Sequence, residues 1–555
     1  MRQATIPLLL LALLTFCAGL GRGAITDADE AFYAESAREM VQSGDWLTPY
    51  YNYEPRFQKP VLYYWLTSAT YLVTGPAEAG ARLWSALAGI GLVLVTAAAA
   101  RRWFDEGVGL LAGAIAATSF GYFALARMAL PDLPLAFLVT LAIFSAFVAT
   151  LDQERHPRGW VLLAALAMAL AFLMKGPLGV LLPSLVVVPI VLLERRSLNI
   201  RPADFVLGVL IFAAVALPWY GAMYRVHGME YLRGFFVGDN LERFATDRFN
   251  DPRPWWFYLP VVAGGFLPWT PLALTWVGPV RQFLTRRRDI ASMDLRLLLW
   301  AALPLIFFTL SIGKQPRYIL PVLPPLAILL AASILERTRT WRGLDGTRVQ
   351  PRASLAVVLG GFVSGAFIVA IGVLLYRASP LLVNVSPTAT LVAASATAAA
   401  GALVLGAALL RRARAIPALL TIASAVMLVS LQYGALSGSG EDTVQQMARR
   451  VMAERQGGEM VGTYQAFVRN LVFYTGVRTT DVVNDDQFAD FLASPTRVLA
   501  VVPAATLERF EQARGIRPRR LATLPYFNEG GIKVRTLLWP DPATDIQQVV
   551  LVSNR

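Results

Sequence analysis

Long apolar runs alternate with short, arginine-rich polar segments over about the first 435 residues of the chain. A helix needs about 20 mostly apolar residues to cross a bilayer. We predict a membrane-spanning helix at each of thirteen runs that approach this length. They are 5–21, 82–100, 107–125, 132–150, 159–174, 177–194, 203–221, 257–278, 294–312, 317–335, 354–375, 387–410 and 415–433.

The composition agrees with this pattern and excludes other classes of protein. Of the 555 residues, 56% are hydrophobic and 16% are charged, whereas an ordinary soluble domain has about 25% charged residues. So apolar a chain is not intrinsically disordered. The single cysteine, Cys17, excludes an internal disulfide framework and any cysteine-based metal site. His156 and His227 are too far apart in sequence to form a local metal motif. The sequence predicts a polytopic α-helical membrane protein.

The arginines predict the orientation of the spans. If the N-terminus is cytoplasmic, nineteen arginines fall in six short cytoplasmic loops, as the positive-inside rule requires. The net charge of +13 then follows from topology, so it gives no reason to expect nucleic-acid binding. An odd number of spans places the C-terminus outside. One alternative stays open: the run 5–21, with Arg2 before it and small residues after it, also fits a cleaved signal peptide.

The chain changes character at about residue 435. Residues 437–442 read as a linker, and the remainder has the balanced composition of a soluble domain. We therefore divide the chain into a transmembrane domain, 1–434, and an extracytoplasmic α/β domain, 435–555. Buried or half-buried strands are predicted at 461–464, 497–502 and 532–537, and helices at 485–492 and 505–513.

The first long outside segment, 24–82, carries the most distinctive candidate chemistry. Short helices along the membrane surface are predicted at 29–43 and 60–74. Glu35 and Glu39 read as solvated or helix-capping charges. Asp29 and Glu30 have two interpretations: helix-capping acids, or carboxylates at the membrane surface that orient or deprotonate a polar substrate group.

Other charged residues recur at the same predicted outer level. Asp132 begins the fourth span after a proline, where a carboxylate is costly unless it is paired or lines a wet cavity; Arg127 is a candidate partner. A single cation at this level has a simple explanation, because its head group can reach the lipid surface. Several together, against the positive-inside bias, indicate a bound anion such as a lipid phosphate. The cations at this level are Lys59, Lys175, Arg243, Lys314 and Arg317. Arg243 lies in the second long outside loop, 222–256, and Tyr318 is next to Arg317.

Several of these segments together resemble a known family of membrane enzymes. The residues are Asp29-Glu30 followed by Tyr33-Ala34-Glu35, Ser43-Gly44-Asp45-Trp46, Phe57-Gln58-Lys59-Pro60, Tyr64-Trp65 and Ala81-Arg82-Leu83. The chain resembles the lipid A aminoarabinose transferases and their relatives, the protein O-mannosyltransferases. The resemblance implies the C-type glycosyltransferase (GT-C) fold with periplasmic juxtamembrane helices, in a bacterial inner membrane. It also implies a polyprenyl (undecaprenyl) phosphate sugar as donor and inverting transfer on the periplasmic side.

The resemblance also implies roles for individual residues. Asp29, its neighbour Glu30, and Asp132 match acids of the family and are the predicted catalytic residues. The predicted contacts to the donor phosphate or lipid are Lys59, Arg82, Lys175, Arg243, Lys314, Arg317 and Tyr318. One departure matters for cofactors: Gln58 stands where the aminoarabinose transferases have an acid implicated in metal binding. A divalent metal is therefore not predicted.

The predicted function is transfer of a sugar from a polyprenyl phosphate to an extracytoplasmic acceptor, with lipid A as the leading candidate. The same chemistry with another sugar, such as a hexose, onto protein, lipid or polysaccharide stays open. A transporter is the alternative from a different class. It would place ionisable groups near the bilayer midplane, whereas here they gather at predicted outer helix ends.

Overall fold

In the computed structural model, the described residues are 2–26, 28–150, 154, 156–194, 200–247, 252–285, 292–339, 341–342, 348–349, 354–436, 440–527 and 534–555. Helices dominate the chain up to residue 436. They are α1 (Arg2–Cys17), α2 (Ala28–Ser43), α3 (Leu62–Thr74), α4 (Glu78–Trp103), α5 (Glu106–Ala117), α6 (Phe120–Ala126), α7 (Asp132–Thr150), α8 (Arg158–Lys175), α9 (Leu178–Glu194), α10 (Pro202–Leu232), α11 (Arg243–Ala245), α12 (Tyr258–Gly265), α13 (Val277–Leu284), α14 (Ser292–Leu310), α15 (Leu323–Thr338), α16 (Leu355–Ala378), α17 (Pro387–Leu409) and α18 (Ile416–Leu431).

Short helical turns and strand pairs complete this region. The segments Thr270–Trp276, Pro316–Val322 and Ser379–Leu381 are 3₁₀ helices, and Arg233–Glu242 and Gln432–Leu436 are π-helical. The strands β1 (Tyr50–Tyr51) and β2 (Glu54–Pro55) form one antiparallel pair, and β3 (Trp341–Arg342) and β4 (Arg348–Val349) form another.

All thirteen predicted spans coincide with helical segments, but the helices are not equally long. Among the described residues, nine helices are long and apolar enough to cross a membrane by themselves. Two further spans are pairs of helices bent by 58° between α5 and α6 and by 105° between α12 and the segment that includes α13. The other two, α1 and α9, are shorter apolar helices. The prediction of a multi-pass membrane protein is confirmed, whereas the count of thirteen is not.

Small residues allow the last long helices to pack closely. A Cβ on Gly365 of α16 would lie 2.8 Å from the backbone nitrogen of Leu405, and a Cβ on Gly401 of α17 would lie 2.8 Å from that of Val369. Real Cβ atoms do not approach so closely, so the two helices meet at this distance only because both positions are glycine. Such close backbone approach is a common basis of helix association in membranes, where apolar burial gives no advantage over lipid.

The segment between α1 and α4 forms the two predicted surface helices, α2 and α3, and the β1–β2 hairpin between them. Glu35 and Glu39 are not solvated, which corrects the sequence-based interpretation: they are 0% and 3% exposed. Glu35 receives two hydrogen bonds from Arg38, at 2.7 and 2.6 Å. Glu39 accepts the backbone N–H of Tyr53, at 3.1 and 2.9 Å, and shares a hydrogen bond with Glu35. Helix α2 is therefore tied to the hairpin by buried carboxyl groups.

The C-terminal region forms the predicted small α/β domain. Its helices are α19 (Thr443–Glu454), α20 (Leu471–Thr475), α21 (Asp485–Leu492), α22 (Ala504–Arg514), α23 (Val534–Leu538) and α24 (Pro542–Asp545). Its strands are β5 (Met460–Tyr464), β6 (Thr479–Val482), β7 (Val498–Pro503), β8 (Arg519–Tyr526) and β9 (Gln547–Ser553), in the sheet order β6-β5-β7-β9-β8. Strands β6, β5 and β7 are parallel, and β9 pairs antiparallel to β7 and to β8.

One predicted strand is wrong. Residues 532 and 533 lie outside the described residues, but Val534–Leu538 is helical, and the sheet is completed by β8 and β9. The alternating apolar pattern of 532–537 is as compatible with a short helix as with a strand, because so short a run does not distinguish the two periods. The strands at 461–464 and 497–502 and the helices at 485–492 and 505–513 are confirmed.

The α/β domain lies against the first outside segment. The Tyr53 hydroxyl donates to the carbonyl of Gly476 at 2.6 Å. The Asn52 amide donates to the carbonyl of Thr479 at 2.8 Å. Both residues have positive φ, 63° and 54° respectively, so the hairpin turn that makes these contacts is a tight one. The Asn470 amide also donates to the carbonyl of Ile25 at 2.6 Å. These bonds fix the α/β domain over the segment that carries Asp29.

The buried carboxyl pair predicts a pH-dependent stability. Burial and the neighbouring Glu35 raise the pKa of Glu39 from 4.5 to about 8. Between these values the folded protein binds more protons than the unfolded chain, so stability must fall as the pH rises. We expect the Tm of the purified protein to fall from about pH 5 to about pH 9, and Glu39→Gln to flatten the curve, because the amide does not titrate. The control, Glu54→Gln, removes an exposed carboxylate from the same segment and should keep the wild-type slope. Parallel curves for Glu39→Gln and wild type would contradict the interpretation.

Candidate active site

Two aspartates and two cations form a continuous chain of ion pairs at one end of the helix bundle. Asp29, in the first turn of α2, pairs with Arg317. The Nε of Arg317 lies 3.6 Å from Oδ2 of Asp132, and Lys175 Nζ lies 2.5 Å from Oδ1 of the same carboxylate. Asp132 is 5% exposed, so these two cations supply the compensation that a buried carboxylate requires. The alternative partner, Arg127, instead donates to Gln432 and to backbone carbonyls of residues 15, 16 and 18.

Local backbone features position the members of this chain. Asp132 begins α7, where the N-terminal partial charge of the helix favours a carboxylate. Lys175 ends α8 and is followed by Gly176, whose φ is 78°. A Cβ on Gly176 would lie 2.4 Å from the ring of Phe235, so only glycine fits where α8 meets the π-helical segment. Arg317 is in the 3₁₀ helix at the outer end of α15.

A second cluster joins Lys59 and Arg243 through a carboxylate that the sequence-based predictions missed. Asp239 accepts Lys59 Nζ at 3.2 Å through Oδ2 and Arg243 at 2.8 Å through Oδ1. Asp239 and Arg243 lie one helical turn apart on the same segment, and Asp239 is buried. Asp239 and Arg243 are four residues apart, a spacing that predicts an ion pair on a helix, but this segment was expected to be a loop. The predicted loop 222–256 is in fact helical through residue 245.

The two clusters meet at Tyr318. Its hydroxyl group shares a hydrogen bond with the guanidinium of Arg243, and Lys175 Nζ lies 4.8 Å from the centre of its ring. The backbone behind Arg243 is also fixed, because Ile312 N–H donates to the carbonyl of Phe244 at 2.9 Å. A Cβ on Gly313 would lie 2.2 Å from the carbonyl oxygen of Arg243, so the turn that contains Gly313 touches the segment that contains Arg243. Arg243 and Tyr318, distant in sequence, are thus held side by side.

The surroundings of Asp29 and Lys59 shift the pKa values of both side chains. Burial opposes ionisation of Asp29, but Arg317, with Arg469 and Arg56 further away, holds the pKa of Asp29 below its usual value. Burial lowers the pKa of Lys59 to about 8, against the opposing effect of Asp239. Asp29 is therefore an anion near neutral pH. Lys59 is a cation there, but it loses its proton within reach of mildly alkaline conditions.

Known proteins resemble the chain in both sequence and structure. Residues 11–232 match the model of the family "Dolichyl-phosphate-mannose-protein mannosyltransferase". An undecaprenyl phosphate-alpha-4-amino-4-deoxy-L-arabinose arabinosyl transferase of Pseudomonas aeruginosa is 37% identical over 344 residues, which is 61% of each chain. A protein of the same name from Pectobacterium carotovorum is 34% identical over 377 residues, or 64% of this chain and 65% of its own. The matched region thus spans less than two thirds of these relatives.

Solved structures resemble almost the whole chain. ArnT from Cupriavidus metallidurans bound to undecaprenyl phosphate has a TM-score of 0.69 at 22% identity, covering 99% of this chain and 98% of that protein. The same protein in the apo state gives a TM-score of 0.71. This chain has the GT-C fold. An oligosaccharyltransferase of Archaeoglobus fulgidus shares it more distantly, with a TM-score of 0.55 at 13% identity, covering 91% of this chain and 69% of that one. The predicted fold class and the resemblance inferred from the motifs are confirmed.

Two of the predicted site residues of this GT-C protein are bonded to each other. Glu30 receives two hydrogen bonds from Arg82, at 2.7 and 3.0 Å, and one from the backbone N–H of Ala129 at 2.9 Å. The remaining donors of Arg82 reach the carbonyls of residues 20, 23 and 24 at 3.2, 2.6 and 2.8 Å. Glu30 is 2% exposed and Arg82 7%. This pair ties the start of α2 to the segment after α1, to α4 and to the segment before α7, and it does not present charge to a substrate.

Lys314 is also directed toward the protein. Its Nζ donates to the carbonyl of Ser311 at 2.5 Å and lies 3.4 Å from that of Arg253. These bonds stabilise the turn that precedes Arg317 and Tyr318. The structure therefore brings Asp29, Asp132 and five of the predicted phosphate or lipid contacts together, while Glu30, Arg82 and Lys314 support the surrounding backbone. The five are Lys59, Lys175, Arg243, Arg317 and Tyr318.

Two tyrosines to which the sequence assigned no role in the site, Tyr33 and Tyr64, line the same region. Tyr33, one turn after Asp29 and Glu30, stacks on Tyr64 with ring centres 5.4 Å apart. The Tyr64 hydroxyl accepts a hydrogen bond from Nε of Arg56 at 3.2 Å. From the sequence alone, a tyrosine that lines a binding site looks the same as a tyrosine that anchors the protein at the membrane interface.

The donor set for a metal ion is incomplete. Within the described ranges, no group of three or more His, Cys, Asp or Glu side chains lies close enough to share a metal ion. Asp29 and Asp132 are each paired with cations, and Gln58 offers only a neutral amide. These residues do not fit a metal site, and we derive no step through one.

The Glu30–Arg82 pair predicts a large loss of stability when it is broken. Arg82→Gln leaves a buried carboxylate without its cation, and we expect a loss of about 3–5 kcal/mol. Arg478→Gln removes the partner of Glu54 from an exposed pair, with side chains 62% and 66% exposed, and should cost about 0–1 kcal/mol. Thermal unfolding of the two purified variants beside wild type measures the difference. Similar Tm values for both variants would contradict the structural role of Arg82.

Proposed function

We propose that the protein is an inverting membrane glycosyltransferase that moves a sugar from a polyprenyl phosphate to an extracytoplasmic acceptor. The leading candidate is transfer of aminoarabinose from undecaprenyl phosphate to lipid A. The observation that carries the proposal is the convergence of Lys59, Arg243 and Tyr318 beside the Asp29–Arg317–Asp132 chain. It is supported by the names of the relatives and by the fold shared with an ArnT that was solved with undecaprenyl phosphate bound.

In this proposal Lys59, Arg243 and Tyr318 bind the donor phosphate. Lys59 and Arg243 share the carboxylate of Asp239, which holds the two cations side by side, where both can donate hydrogen bonds to an incoming phosphate. When the bond between the anomeric carbon and the phosphate oxygen breaks, the electron pair leaves with the phosphate. Cations already in place then stabilise the developing charge without reorganisation. The acceptor oxygen forms the new bond to the anomeric carbon from the opposite face, which inverts its configuration.

Asp29 is the proposed catalytic carboxylate. Its side chain is 42% exposed, whereas that of Asp132 is 5% exposed. Asp29 therefore contacts the substrate, and Asp132 positions Arg317 and Lys175. If the acceptor is a hydroxyl group, Asp29 takes its proton. If the acceptor is a phosphate, no proton needs to be removed, and Asp29 orients the sugar and favours one that carries an amino group.

The proposed location follows from the same arrangement. We place the protein in a bacterial inner membrane with a cytoplasmic N-terminus, and the site and C-terminus in the periplasm. Residues 1–434 form the glycosyltransferase domain, in which 24–82 is the first periplasmic segment, and 435–555 form the periplasmic α/β domain.

A second candidate is the same chemistry with another sugar and acceptor. The match of residues 11–232 to a mannosyl-protein transferase model favours a hexose transferred to protein. Residues around the phosphate and anomeric carbon would serve both reactions equally.

Loss of the Asp29 charge should stop transfer without preventing donor binding. We expect Asp29→Asn to lower kcat by about 10²-fold, the usual scale when a reacting group is no longer held in position, with an unchanged Kd for undecaprenyl phosphate. Mass spectrometry of lipid A incubated with purified protein and undecaprenyl-phosphate aminoarabinose detects the product. The control, Glu54→Gln, changes an exposed carboxylate of the same segment. Full turnover by Asp29→Asn would refute the catalytic role. No product with wild type on lipid A, but product on protein with a hexose donor, would favour the second candidate.

The titration of Lys59 predicts a pH-dependent donor affinity. Below about pH 8 the lysine is a cation and attracts the phosphate, and above it the neutral amine does not. The Kd for undecaprenyl phosphate should therefore rise up to about tenfold per pH unit above that value. Lys59→Arg keeps its charge throughout, so its affinity should stay nearly constant to about pH 10. Any titration of the phosphate itself affects wild type and Lys59→Arg equally. Coincident profiles of Kd against pH for the two proteins would show that Lys59 is not a phosphate contact.

A further inference from the structure

Two arginines from different domains lie over the same aromatic ring beside Asp29. Phe32 follows Asp29 by one turn of α2, so the two side chains are neighbours on one face of the helix. The guanidinium carbon of Arg56, from the first outside segment, lies 3.8 Å from the centre of the Phe32 ring. That of Arg469, from the α/β domain, lies 4.5 Å from the same centre.

These two cations differ from the others of the site in their partners. Arg317, Lys175, Lys59 and Arg243 are each paired with an aspartate. Neither Arg56 nor Arg469 has its guanidinium within salt-bridge distance of a carboxylate in the part of the chain that the structure describes. The side chain of Arg56 donates only its Nε, to the Tyr64 hydroxyl.

The ring of Phe32 holds the two arginines in place without neutralising them. Cation–π contact orders a guanidinium group while its terminal N–H groups stay available to another acceptor. Their planar fork matches the oxygens of a phosphate group better than a lysine does. The backbone of Arg469 is itself fixed, because its carbonyl accepts the Tyr51 hydroxyl at 3.2 Å, and the Tyr51 ring packs edge-on against Phe32 at 4.5 Å.

We propose that Arg56 and Arg469 bind a phosphate monoester of a glycolipid acceptor next to Asp29. This inference rests on the proposed function and specifies it, since the donor phosphate is assigned to Lys59, Arg243 and Tyr318. It places one specificity-determining residue of the reaction, Arg469, in the α/β domain. The acceptor then presents an anionic oxygen, and Asp29 acts on the sugar and not as a base.

Binding measurements with two acceptors test this assignment. Lipid A that carries both phosphates and lipid A with both phosphates removed are titrated against the full-length wild type and Arg469→Gln. The matched control is Arg478→Gln, an exposed arginine of the same domain that pairs with Glu54 of the β1–β2 hairpin. Undecaprenyl phosphate is titrated separately against all three proteins to measure the donor site. Because Arg469 is exposed, its substitution leaves the core of the domain intact.

We expect wild type and Arg478→Gln to bind phosphorylated lipid A at least about tenfold more tightly than the dephosphorylated form, a typical preference for charge-assisted contacts. Arg469→Gln should lose most of that preference and keep its donor Kd within about twofold of wild type. Unchanged discrimination by Arg469→Gln, or an equal loss of donor affinity, would overturn the proposal. So would inorganic phosphate that binds as tightly as the phosphorylated glycolipid.

A separate measurement distinguishes this inference from the proposed function. Wild-type transfer from undecaprenyl-phosphate aminoarabinose to lipid A is followed by mass spectrometry. Absence of transfer contradicts the leading candidate for the proposed function, and with it the phosphate site inferred from it. Normal transfer with unchanged acceptor discrimination in Arg469→Gln contradicts only the phosphate site at Arg56 and Arg469.

Discussion

A buried carboxylate, Asp132, and the two cations that compensate it are the interaction on which the site depends. An ionised group at a helix end inside a membrane protein is stable only when it is paired or hydrated. Lys175 and Arg317 provide the pairing, and they come from the ends of two other helical segments, α8 and the 3₁₀ helix before α15. Because Arg317 also pairs with Asp29, the requirement to neutralise one buried charge fixes the position of the exposed one.

The second cluster is also built around a buried carboxylate. Asp239 is one carboxylate shared by Lys59 and Arg243. Tyr318 connects the two clusters, since it contacts Arg243 on one side and Lys175 on the other. The first cluster holds Asp29, and the second brings Lys59 and Arg243 together beside it. This division suits a reaction in which a carboxylate faces the sugar while cations face its leaving group.

The α/β domain extends this arrangement beyond the helix bundle. Its contacts with the β1–β2 hairpin and with Ile25 hold it against the segment that carries Asp29, and the buried Glu35–Glu39 pair joins α2 to the same hairpin. Glu30 and Arg82 secure the other end of α2 to the helix bundle. Helix α2 is therefore fixed at both ends by buried charges, so that Asp29 and Phe32 lie on a rigid element between two domains.

The sequence by itself determined the membrane class, the helical segments, the small α/β domain and most of the charged residues of the site. Apolar runs and arginine-rich loops respond to the bilayer locally, so they are readable one segment at a time. Pairing between distant residues is not local. Asp239 was not predicted to be part of the site, and Glu35 and Glu39 were interpreted as solvated or helix-capping charges. Glu30 and Arg82 were predicted to be site residues. Only the tertiary structure decided which of these charges neutralise one another and which stay open to a ligand, because in a low-dielectric interior that depends on distances between helices far apart in sequence.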